Sequence, residues 1–294
     1  MIDAKTKFAV VGLGVLGGSY IQALSKQGYS IIGIDTDEET LAYAKENGWI
    51  TEGSTDPSTV KDADLVICCL YPHVFVEWVK ENGKYLKPGC LLSDVTGVKQ
   101  KIIGEINALL PENVEFIACH PMAGRELRGI HYADSSRFEN ANFIIVPCEN
   151  NSQDAIDTAH QLAEILGFRK ISQLSGQEHD QMIGFLSQLT HVIAVSLMNA
   201  SDNTHLKEYT GDSFRDLTRI AKINEDMWPE LFILNKENLI HEIRVFTDEM
   251  NAFAKLIEEE DVDTMKQKMI ISTQRRKQFD PKGGSWRWRQ STAA

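Results

Sequence analysis

The sequence lacks several patterns that mark common classes of enzyme and membrane protein. It contains no G-x-S-x-G nucleophile turn and no phosphate-binding P-loop. No His, Cys, Asp or Glu cluster has metal-ligand spacing, so no bound metal is predicted. Residues 1–5 do not resemble a signal peptide, and no uninterrupted apolar run reaches about 18 residues. We therefore expect a cytoplasmic protein that does not associate with a membrane.

Basic residues are also fewer than acidic ones. Thirty Lys and Arg residues stand against forty-two Asp and Glu residues, which gives a formal net charge of −12. This balance argues against a nucleic-acid partner, because binding to phosphate backbones requires a basic surface. A small anionic substrate is still compatible with the sequence, since a local basic pocket can override the field of the whole protein.

The chain has few cysteines, and their spacing does not suggest disulfide or metal-binding pairs. The chain has five cysteines, and no two of them form a C-x-x-C pair. An odd number in a long chain argues against a secreted disulfide framework. We interpret the cysteines as small buried apolar residues in a reducing compartment.

A glycine-rich turn follows an apolar segment near the start of the chain. Gly12, Gly14 and Gly17 have the spacing G-x-G-x-x-G, and a helical pattern follows them. The first glycine permits a tight turn, the second lets backbone approach a pyrophosphate, and the third lets the helix pack on the strand. Together with Leu13 and Leu16 they form a predicted dinucleotide-binding turn, where free N–H groups at the helix start meet the pyrophosphate.

Asp35 ends the next apolar segment and indicates which dinucleotide is bound. It lies about 20 residues beyond the glycines, where a carboxylate accepts hydrogen bonds from the adenosine ribose. A carboxylate repels a 2′-phosphate, and residues 36–38 contain no arginine that would bind one. The sequence therefore predicts NAD in preference to NADP.

Short apolar segments alternate with amphipathic helical patterns as far as residue 173. The segments predicted as strands are 7–11, 29–35, 64–70, 90–95, 114–119, 142–147 and 169–172. This alternation predicts an α/β fold with a Rossmann-type, doubly wound parallel sheet. Only long amphipathic helical patterns follow residue 175. We predict an NAD-binding domain over 1–173 and an all-α domain over 174–294 that binds substrate and forms a homodimer.

Residues at the carboxyl ends of parallel strands line the ligand site in such a sheet. Leu70 is therefore predicted beside the cofactor, and Thr96 and His120 near the nicotinamide. An imidazole there can accept a proton from a substrate hydroxyl while hydride leaves the same carbon; a structural histidine at the strand end is the alternative. The Thr96 hydroxyl can orient His120 or the substrate, or it can cap the next helix.

The helical part of the sequence offers further charged and titratable candidates. His191 lies on its first predicted helix, where a lone histidine is more typical of a buried structural residue. Arg215 and Arg219 are four residues apart and share one face of a predicted helix. Two guanidinium groups on one face suit a dicarboxylate. On the sequence alone, a salt-bridged helix that uses Asp212 and Asp216 is slightly favoured instead.

Taken together, these motifs resemble the prephenate/arogenate dehydrogenase family of tyrosine biosynthesis. The resemblance runs from residue 8 to about residue 276 and is carried by 11–19, 94–99, 120–126, 214–221 and Met227-Trp228. It implies an NAD-dependent oxidoreductase that converts prephenate to 4-hydroxyphenylpyruvate with loss of carbon dioxide. Arogenate, converted directly to tyrosine, is the alternative substrate.

The resemblance also implies roles for individual residues. His120 would polarise the ring hydroxyl, Thr96 takes the place of a Ser or Thr that bonds near it, and Arg219 would anchor a carboxylate. Four more positions match the substrate side of the family's site: His191, Arg215, Glu126 and Gln188. Among these, Glu126 matches a gating acid, and Gln188 replaces a histidine found in many relatives.

Two other functions are compatible with parts of the sequence. A dehydrogenase of the β-hydroxyacid or pyrroline-carboxylate type also begins with G-x-G-x-x-G and has a helical second domain. Many hydroxyacid members would place a catalytic lysine on the inter-domain helix, and residues 177–181 contain none. A non-catalytic dinucleotide sensor is the second alternative, but it would need neither His120 nor a pair of arginines.

Overall fold

A single eight-stranded sheet organises the first part of the molecule. The structure, a computed structural model, describes residues 1–124 and 127–279. The strands are β1 (Lys7–Val11), β2 (Ser30–Ile34), β3 (Glu52–Ser54), β4 (Leu65–Cys68), β5 (Leu91–Asp94), β6 (Glu115–Pro121), β7 (Asn142–Val146) and β8 (Lys170–Gln173). Their order across the sheet is β3-β2-β1-β4-β5-β6-β7-β8. This order confirms the predicted Rossmann-type fold.

Helices cover both faces of the sheet and bury two separate cores. Those of the first 173 residues are α1 (Val15–Lys26), α2 (Glu38–Glu46), α3 (Pro72–Asn82), α4 (Gln100–Leu109) and α5 (Gln153–Leu166). One core packs Leu24 of α1 and Leu162 of α5 against the sheet. The other packs Phe75 of α3 and Ile106 of α4 against the opposite face. Both faces of the sheet are therefore closely packed, which fixes the positions of the residues at its edge.

Two details of the sheet differ from the predicted parallel arrangement. β3 has only three residues and no apolar run, so its sequence carries no strand signal. β7 runs antiparallel to β6, whereas β8 runs parallel to β7. A parallel connection requires a crossover of a dozen or more residues, usually a helix. The described residues between β6 and β7 contain only the short 3₁₀ turns Ile130–Tyr132 and Ser135–Asn140, so the chain returns in the opposite direction.

The described residues beyond the sheet are helical, as predicted. Their α-helices are α6 (Gly176–Ile183), α7 (Thr190–Asn199), α8 (Leu206–Tyr209), α9 (Asp212–Thr218), α10 (Trp228–Leu234), α11 (Lys236–Glu258) and α12 (Val262–Arg276). A capping box between Ser175 and Glu178 starts α6, which directly follows the last strand.

A π-helical segment, Gly184–Leu189, joins α6 and α7 into one helix over Gly176–Asn199. This helix has a mean hydropathy of 1.4 over its most apolar 18-residue window, of which 28% is buried. By length and composition it could cross a membrane, although the sequence shows no uninterrupted apolar run of that length. Polar residues such as Ser187, Gln188 and Thr190 interrupt the apolar ones.

The chain separates into two compact units, Met1–Ile240 and the residues from His241 onward. The predicted domain boundary near residue 173 instead follows the end of β8. The first unit extends beyond that point because α6 is hydrogen-bonded to Lys99, Gln100 and His120 of the sheet domain, and Leu231 of α10 packs in one of its cores. The 173 boundary stays a prediction.

Candidate active site

The glycine turn after β1 has the shape that a bound pyrophosphate requires. Gly12 adopts a φ of +84°, and a Cβ there would lie 2.8 Å from the carbonyl oxygen of Cys69. A Cβ on Gly17 would lie 1.9 Å from the carbonyl oxygen of Gly12, so α1 packs on the turn only because this residue is glycine. In contrast, a Cβ on Gly14 would meet nothing within 4 Å. The open side of the turn is therefore at Gly14, at the start of α1.

Asp35 is bonded directly to this turn. Its Oδ2 accepts a hydrogen bond of 2.6 Å from the backbone N–H of Leu13, and its Oδ1 accepts one of 3.0 Å from the N–H of Asp37. The side chain of Leu13 is fully buried in the core. The carboxylate is thereby placed next to the glycines, as a ribose-binding group must be.

The two other leucines predicted at the cofactor lie around the same turn. Leu70 follows β4 and is half-buried, and a Cβ added to Gly12 would lie 2.8 Å from its Cδ2. Leu16 lies in the first turn of α1, is half-buried and packs against the core of that face. Both are half-buried apolar side chains close to the glycine turn.

His120 lies inside β6, one residue before the strand ends, rather than after a fifth strand as predicted from the sequence. Its Nδ1 lies 2.9 Å from Nε2 of His179 on α6. Its Nε2 points toward Gly97, where an added Cβ would lie 3.9 Å away. Among the hydrogen bonds of residues 1–124 and 127–279, none involves this Nε2. The ring therefore uses Nδ1 for a contact within the protein, while Nε2 faces the space beside Gly97 and Leu231, which we call the cleft.

The surroundings of His120 keep its ring neutral. Burial lowers the pKa of His120 well below its usual range, and the neighbouring His179 and the charge of Lys99 lower it further. The pKa of His179 is also lowered, by burial first, although its hydrogen bond to Asp180 acts in the opposite direction. Both rings are uncharged near neutral pH, which is the form that can accept a proton.

Sequence reasoning missed His179 and Asp180. Nδ1 of His179 lies 2.7 Å from Oδ1 of Asp180, and both residues are buried. The carboxylate of Asp180 also accepts hydrogen bonds of 2.8 and 2.9 Å from the backbone N–H groups of Lys99 and Gln100 at the start of α4. The available signal was an adjacent His-Asp pair on the first helix after the sheet.

The hydroxyl of Thr96 does not point at His120. It donates to Oδ2 of Asp94 in a short hydrogen bond, lies 3.0 Å from the carbonyl oxygen of Val98, and accepts from Nζ of Lys99 at 3.1 Å. The side chain is 3% exposed. The alternative of a helix N-cap is not found either, because Asp180 bonds the first N–H groups of α4. Thr96 belongs to a buried polar cluster beneath the turn that contains Gly97.

Gln188 is also an interior residue. It is 1% exposed, and its Nε2 donates to the carbonyl oxygen of Leu231 at 2.9 Å. Its Oε1 accepts from Nδ2 of Asn235 at 2.8 Å, and the same amide nitrogen donates to the carbonyl oxygen of Asp180. Both ends of the side chain are occupied by α10 and the residue after it. Gln188 fixes α10 against the helix of His179 and does not reach the cleft in this structure.

His191 lies on α7 and stacks on Trp228, the first residue of α10. Their ring centroids are 3.8 Å apart and the planes are tilted by 30°. Nδ1 of His191 lies 2.9 Å from the carbonyl oxygen of Ser187, one turn earlier. The half-buried imidazole is therefore held in one orientation by a ring contact and a backbone contact.

The two arginines lie on either side of the end of α9. α9 ends at Thr218, and Arg219 begins the 3₁₀ turn Arg219–Ala221, which packs against α7. Arg215 pairs with Asp212 at 2.6 Å and donates to the carbonyl oxygen of Thr210 at 3.0 Å. For Arg215 the structure thus matches the salt-bridged alternative, whereas Arg219 is placed beside the helix that carries His191.

Glu126 lies outside the described residues. Just beyond it, Arg128 donates to Asn224 at 2.7 Å and to Asp226 at 3.0 Å. Asn224 donates in turn to the Tyr71 hydroxyl, which follows β4, at 3.0 Å. The segment before α10 is therefore bonded to two loops at the carboxyl edge of the sheet.

Comparison with known proteins assigns both parts of the chain to one family. Residues 21–172 match the profile described as prephenate dehydrogenase, nucleotide-binding domain, and residues 175–270 match prephenate dehydrogenase, dimerization domain. Prephenate dehydrogenase of Bacillus subtilis (strain 168) is 29% identical over 276 residues, 90% of this chain and 74% of the relative.

Solved structures show the same fold over nearly the whole chain. Prephenate dehydrogenase from Aquifex aeolicus, crystallised with hydroxyphenyl propionate and NAD+, has a TM-score of 0.87 at 27% identity, covering 95% of this chain and 100% of that one. Synechocystis arogenate dehydrogenase has a TM-score of 0.82 at 23% identity over 94% and 100% of the two chains, which shows a shared fold. Since the nucleotide-binding profile alone spans more than half of the residues, this chain belongs to the prephenate dehydrogenase family.

Proposed function

We propose that this protein is an NAD-dependent prephenate dehydrogenase, which oxidises prephenate to 4-hydroxyphenylpyruvate with loss of carbon dioxide. The observation that carries the proposal is the neutral His120, held at the carboxyl edge of the sheet with Nε2 directed into the cleft. Two strands, β4 and β5, separate His120 on β6 from the glycine turn after β1, and this is where the nicotinamide end of a bound dinucleotide is expected.

The residues at the glycine turn fit NAD. The open side at Gly14 leaves room for a pyrophosphate, and α1 begins there without a side-chain cap. Its first N–H groups are therefore available to an anion. Asp35 offers a carboxylate to the adenosine ribose beside the N–H of Leu13. When bound, NAD supplies the hydride acceptor, and Leu16 and Leu70 supply apolar contacts.

His120 acts on the substrate hydroxyl. Its Nε2 accepts a hydrogen bond from the hydroxyl of the ring carbon that loses hydride. As hydride leaves, that oxygen becomes electron-poor, and the basic nitrogen stabilises it. Cleavage of the bond to the departing carboxylate returns an electron pair to the ring, and the product phenol keeps its proton. Formation of the aromatic ring makes the step favourable.

The other site residues divide into groups that bind substrate and groups that support the site. Prephenate carries two carboxylates, and Arg219 anchors one of them through a guanidinium fork. His191, fixed on Trp228, contacts the other end of the substrate, and Glu126 gates entry. Arg215 contributes less because its guanidinium pairs with Asp212. Thr96 and Gln188 act by holding the Gly97 turn and α10 in place.

A spectrophotometric assay tests the proposal. Purified protein with NAD and prephenate should produce reduced nicotinamide, and arogenate in parallel should show which substrate turns over faster. The His120→Asn variant should bind NAD as the wild type does and lose at least about 10²-fold in turnover, the usual contribution of a positioned acid–base group. NAD binding without turnover of either substrate by the wild type would support the dinucleotide-sensor alternative instead.

The apolar helix Gly176–Asn199 supports a homodimer. Met182, Phe185, Leu186, Leu197 and Met198 of this helix are exposed in the single chain. The matched dimerization profile spans the helix, and a second copy would cover exposed apolar surface of this kind. Sedimentation equilibrium should give twice the chain mass of 33.0 kDa, and a single-chain mass at micromolar concentration would contradict the dimer.

The thiols support a reducing, cytoplasmic location. All five cysteines are free, three of them fully buried. Burial raises the pKa of Cys90 and of Cys119 to about 12, so these thiols are unreactive near neutral pH. Cell fractionation of a tagged full-length chain would test the location.

A further inference from the structure

Three side chains form a line that starts at the cleft and ends in the interior. Nδ1 of His120 lies 2.9 Å from Nε2 of His179, and Nδ1 of His179 lies 2.7 Å from Oδ1 of Asp180. His120 is on β6, whereas His179 and Asp180 are neighbours on α6, which begins just after the sheet. No part of the proposed chemistry described above assigns a role to the two residues on α6.

The direction of each hydrogen bond in this line follows from the end at Asp180. The backbone N–H groups of Lys99 and Gln100 can only donate, so the Asp180 carboxylate is an acceptor at 2.8 and 2.9 Å. As a carboxylate, it also accepts from Nδ1 of His179. A neutral His179 with its proton on Nδ1 has a lone pair on Nε2, and this nitrogen therefore accepts from Nδ1–H of His120.

The same argument determines whether Nε2 of His120, which faces the cleft, carries a proton. A neutral imidazole with its proton on Nδ1 carries a lone pair on Nε2. The opposite tautomer of His120 would oppose two lone pairs across the 2.9 Å contact to His179. It would also turn Nε2 into a donor, which cannot accept the hydrogen bond of a substrate hydroxyl.

We propose that His179 and Asp180 are positioning residues, which hold His120 as the Nδ1–H tautomer and so keep its Nε2 an acceptor toward the substrate. The proposal rests on the proposed function for the identity of the substrate, but the tautomer itself is a property of the free protein. Asp180 fixes the tautomer of His179, His179 in turn fixes the tautomer of His120, and only His120 contacts the substrate.

The packing around the line agrees with this assignment. His179 exposes none of its surface and Asp180 exposes 3%, so water does not compete for these contacts. The carbonyl oxygen of Asp180 accepts from Nδ2 of Asn235, which ties the α6 end of the line to the residue after α10. The charged groups that act on the two rings are Lys99, Asp94 and Asp180. Lys99 opposes protonation of both rings, which preserves the neutral state that the proposed directions require.

Nitrogen-15 NMR of histidine-labelled protein tests the tautomer without any assay of activity. The His120 signals are identified by their absence in His120→Asn. We expect one protonated and one unprotonated ring nitrogen, with the unprotonated one at Nε2, over the pH range in which the ring is neutral. A proton on Nε2 of His120 in the wild-type protein would overturn the proposal, whatever the substrate proves to be.

Two variants of His179 separate positioning from packing. His179→Gln keeps an amide oxygen that can accept from Nδ1–H of His120, whereas His179→Leu fills space without an acceptor. We expect the Leu variant to lose about 10²-fold in kcat with little change in the KM for NAD, and the Gln variant to recover at least about tenfold of that loss. His160→Leu, a half-buried histidine on α5, is the matched control and should leave kcat unchanged.

The outcomes distinguish this inference from the proposed function. Equal kcat values for the Leu and Gln variants, each folded by circular dichroism, would contradict positioning by His179. If the Leu variant does not fold, the NMR signal of His120 in the Gln variant still decides, since loss of the Nδ1–H tautomer there would also contradict it. Failure of the wild type to oxidise prephenate would overturn the proposed function and leave the tautomer result standing.

Discussion

Nζ of Lys99 lies 2.7 Å from Oδ2 of Asp94, and neither side chain exposes any surface. Asp94 ends β5, and its Oδ1 accepts from the backbone N–H of Cys119, the residue before His120. The pair therefore ties the end of β5 to the strand of the proposed base and to the start of α4. A buried ion pair of this kind is costly to break, because a single remaining charge has no compensation in the interior.

The first prediction concerns stability. Lys99→Met should reduce the free energy of unfolding by about 3–5 kcal/mol, because it leaves Asp94 buried and unpaired. Urea unfolding followed by circular dichroism measures the change. Lys101→Met, which removes an exposed partner of Glu105 at 3.9 Å, should cost no more than about 1 kcal/mol. Equal losses of unfolding free energy in the two variants would show that the buried pair contributes no more to stability than the exposed one.

Alanine substitutions at two glycines of the dinucleotide turn should affect folding and NAD binding separately. Gly17→Ala places a Cβ 1.9 Å from a backbone oxygen and should lower the melting temperature sharply or prevent folding. Gly14→Ala meets no atom within 4 Å and should melt near the wild-type temperature. The added methyl group should instead weaken NAD binding, measured by calorimetry, at least about tenfold, since backbone can no longer approach the pyrophosphate. Unchanged affinity in Gly14→Ala would place the pyrophosphate elsewhere.

Asp35 should determine the choice between NAD and NADP. Asp35→Ala removes the carboxylate that is bonded to Leu13, so the preference for NAD should fall at least about tenfold. Steady-state kinetics with each cofactor give the ratio of kcat/KM values. Asp37→Asn removes the same charge two residues away and keeps a side chain able to cap α2; its preference should match the wild type. A preference that survives in Asp35→Ala would remove this residue from cofactor selection.

The two arginines should differ in their effect on substrate binding. Arg219→Gln should weaken binding by roughly 2–5 kcal/mol, as truncation of one partner of a buried charge pair does, and raise the KM for prephenate accordingly. Arg215→Gln should have a smaller effect, because the family resemblance assigns the anchoring of a carboxylate to Arg219 and not to Arg215. The KM for NAD is the internal control in both variants. A larger effect at Arg215 than at Arg219 would reverse the proposed assignment.

Acid should destabilise the protein through its buried histidines. The pKa values of His120 and His179 are lowered in the folded state, whereas unfolded histidine titrates near about 6.5. Below that pH the unfolded state binds more protons, so the free energy of unfolding falls as pH falls, by at most about 1.4 kcal/mol per pH unit for each histidine. Urea unfolding at a series of pH values should show this slope, and His179→Gln should show a shallower one. Identical slopes would mean that folding does not lower the pKa of His179.

The first strands and the cofactor turn could be predicted because local patterns encode them. Apolar runs ended by Gly12 and Asp35 are enough to identify the first two strands and the turn between them. The antiparallel β7 could not be predicted, since the direction of a strand depends on the path of the connection and not on its own residues. β3 could not be predicted either, because pairing with β2, and not apolar burial, holds it in the sheet.

Single residues were predicted less well where their partners lie far away in the chain. The position of His120 could be inferred from its strand, but its contact with His179 joins residues 59 positions apart. Thr96 was expected to orient His120 or the substrate, or to cap the next helix, and the nearby Asp94 and Lys99 hold its hydroxyl instead. Arg215 and Arg219 were expected on one face of one helix, and Arg219 instead begins a 3₁₀ turn directly after α9. Each difference arises from a tertiary contact that overrides a local pattern.

Asp180 has a consequence for how the protein becomes active during folding. The same carboxylate bonds the first N–H groups of α4 and ends the line that reaches His120. The sheet domain contains His120 but not Asp180, which lies beyond the last strand. A chain in which the first 173 residues have folded while α6 is still undocked therefore has a nucleotide-binding turn and an undirected base. If His179 and Asp180 position His120 as proposed, catalytic competence requires α6 to dock, and activity then reports that the two parts of the chain have assembled correctly.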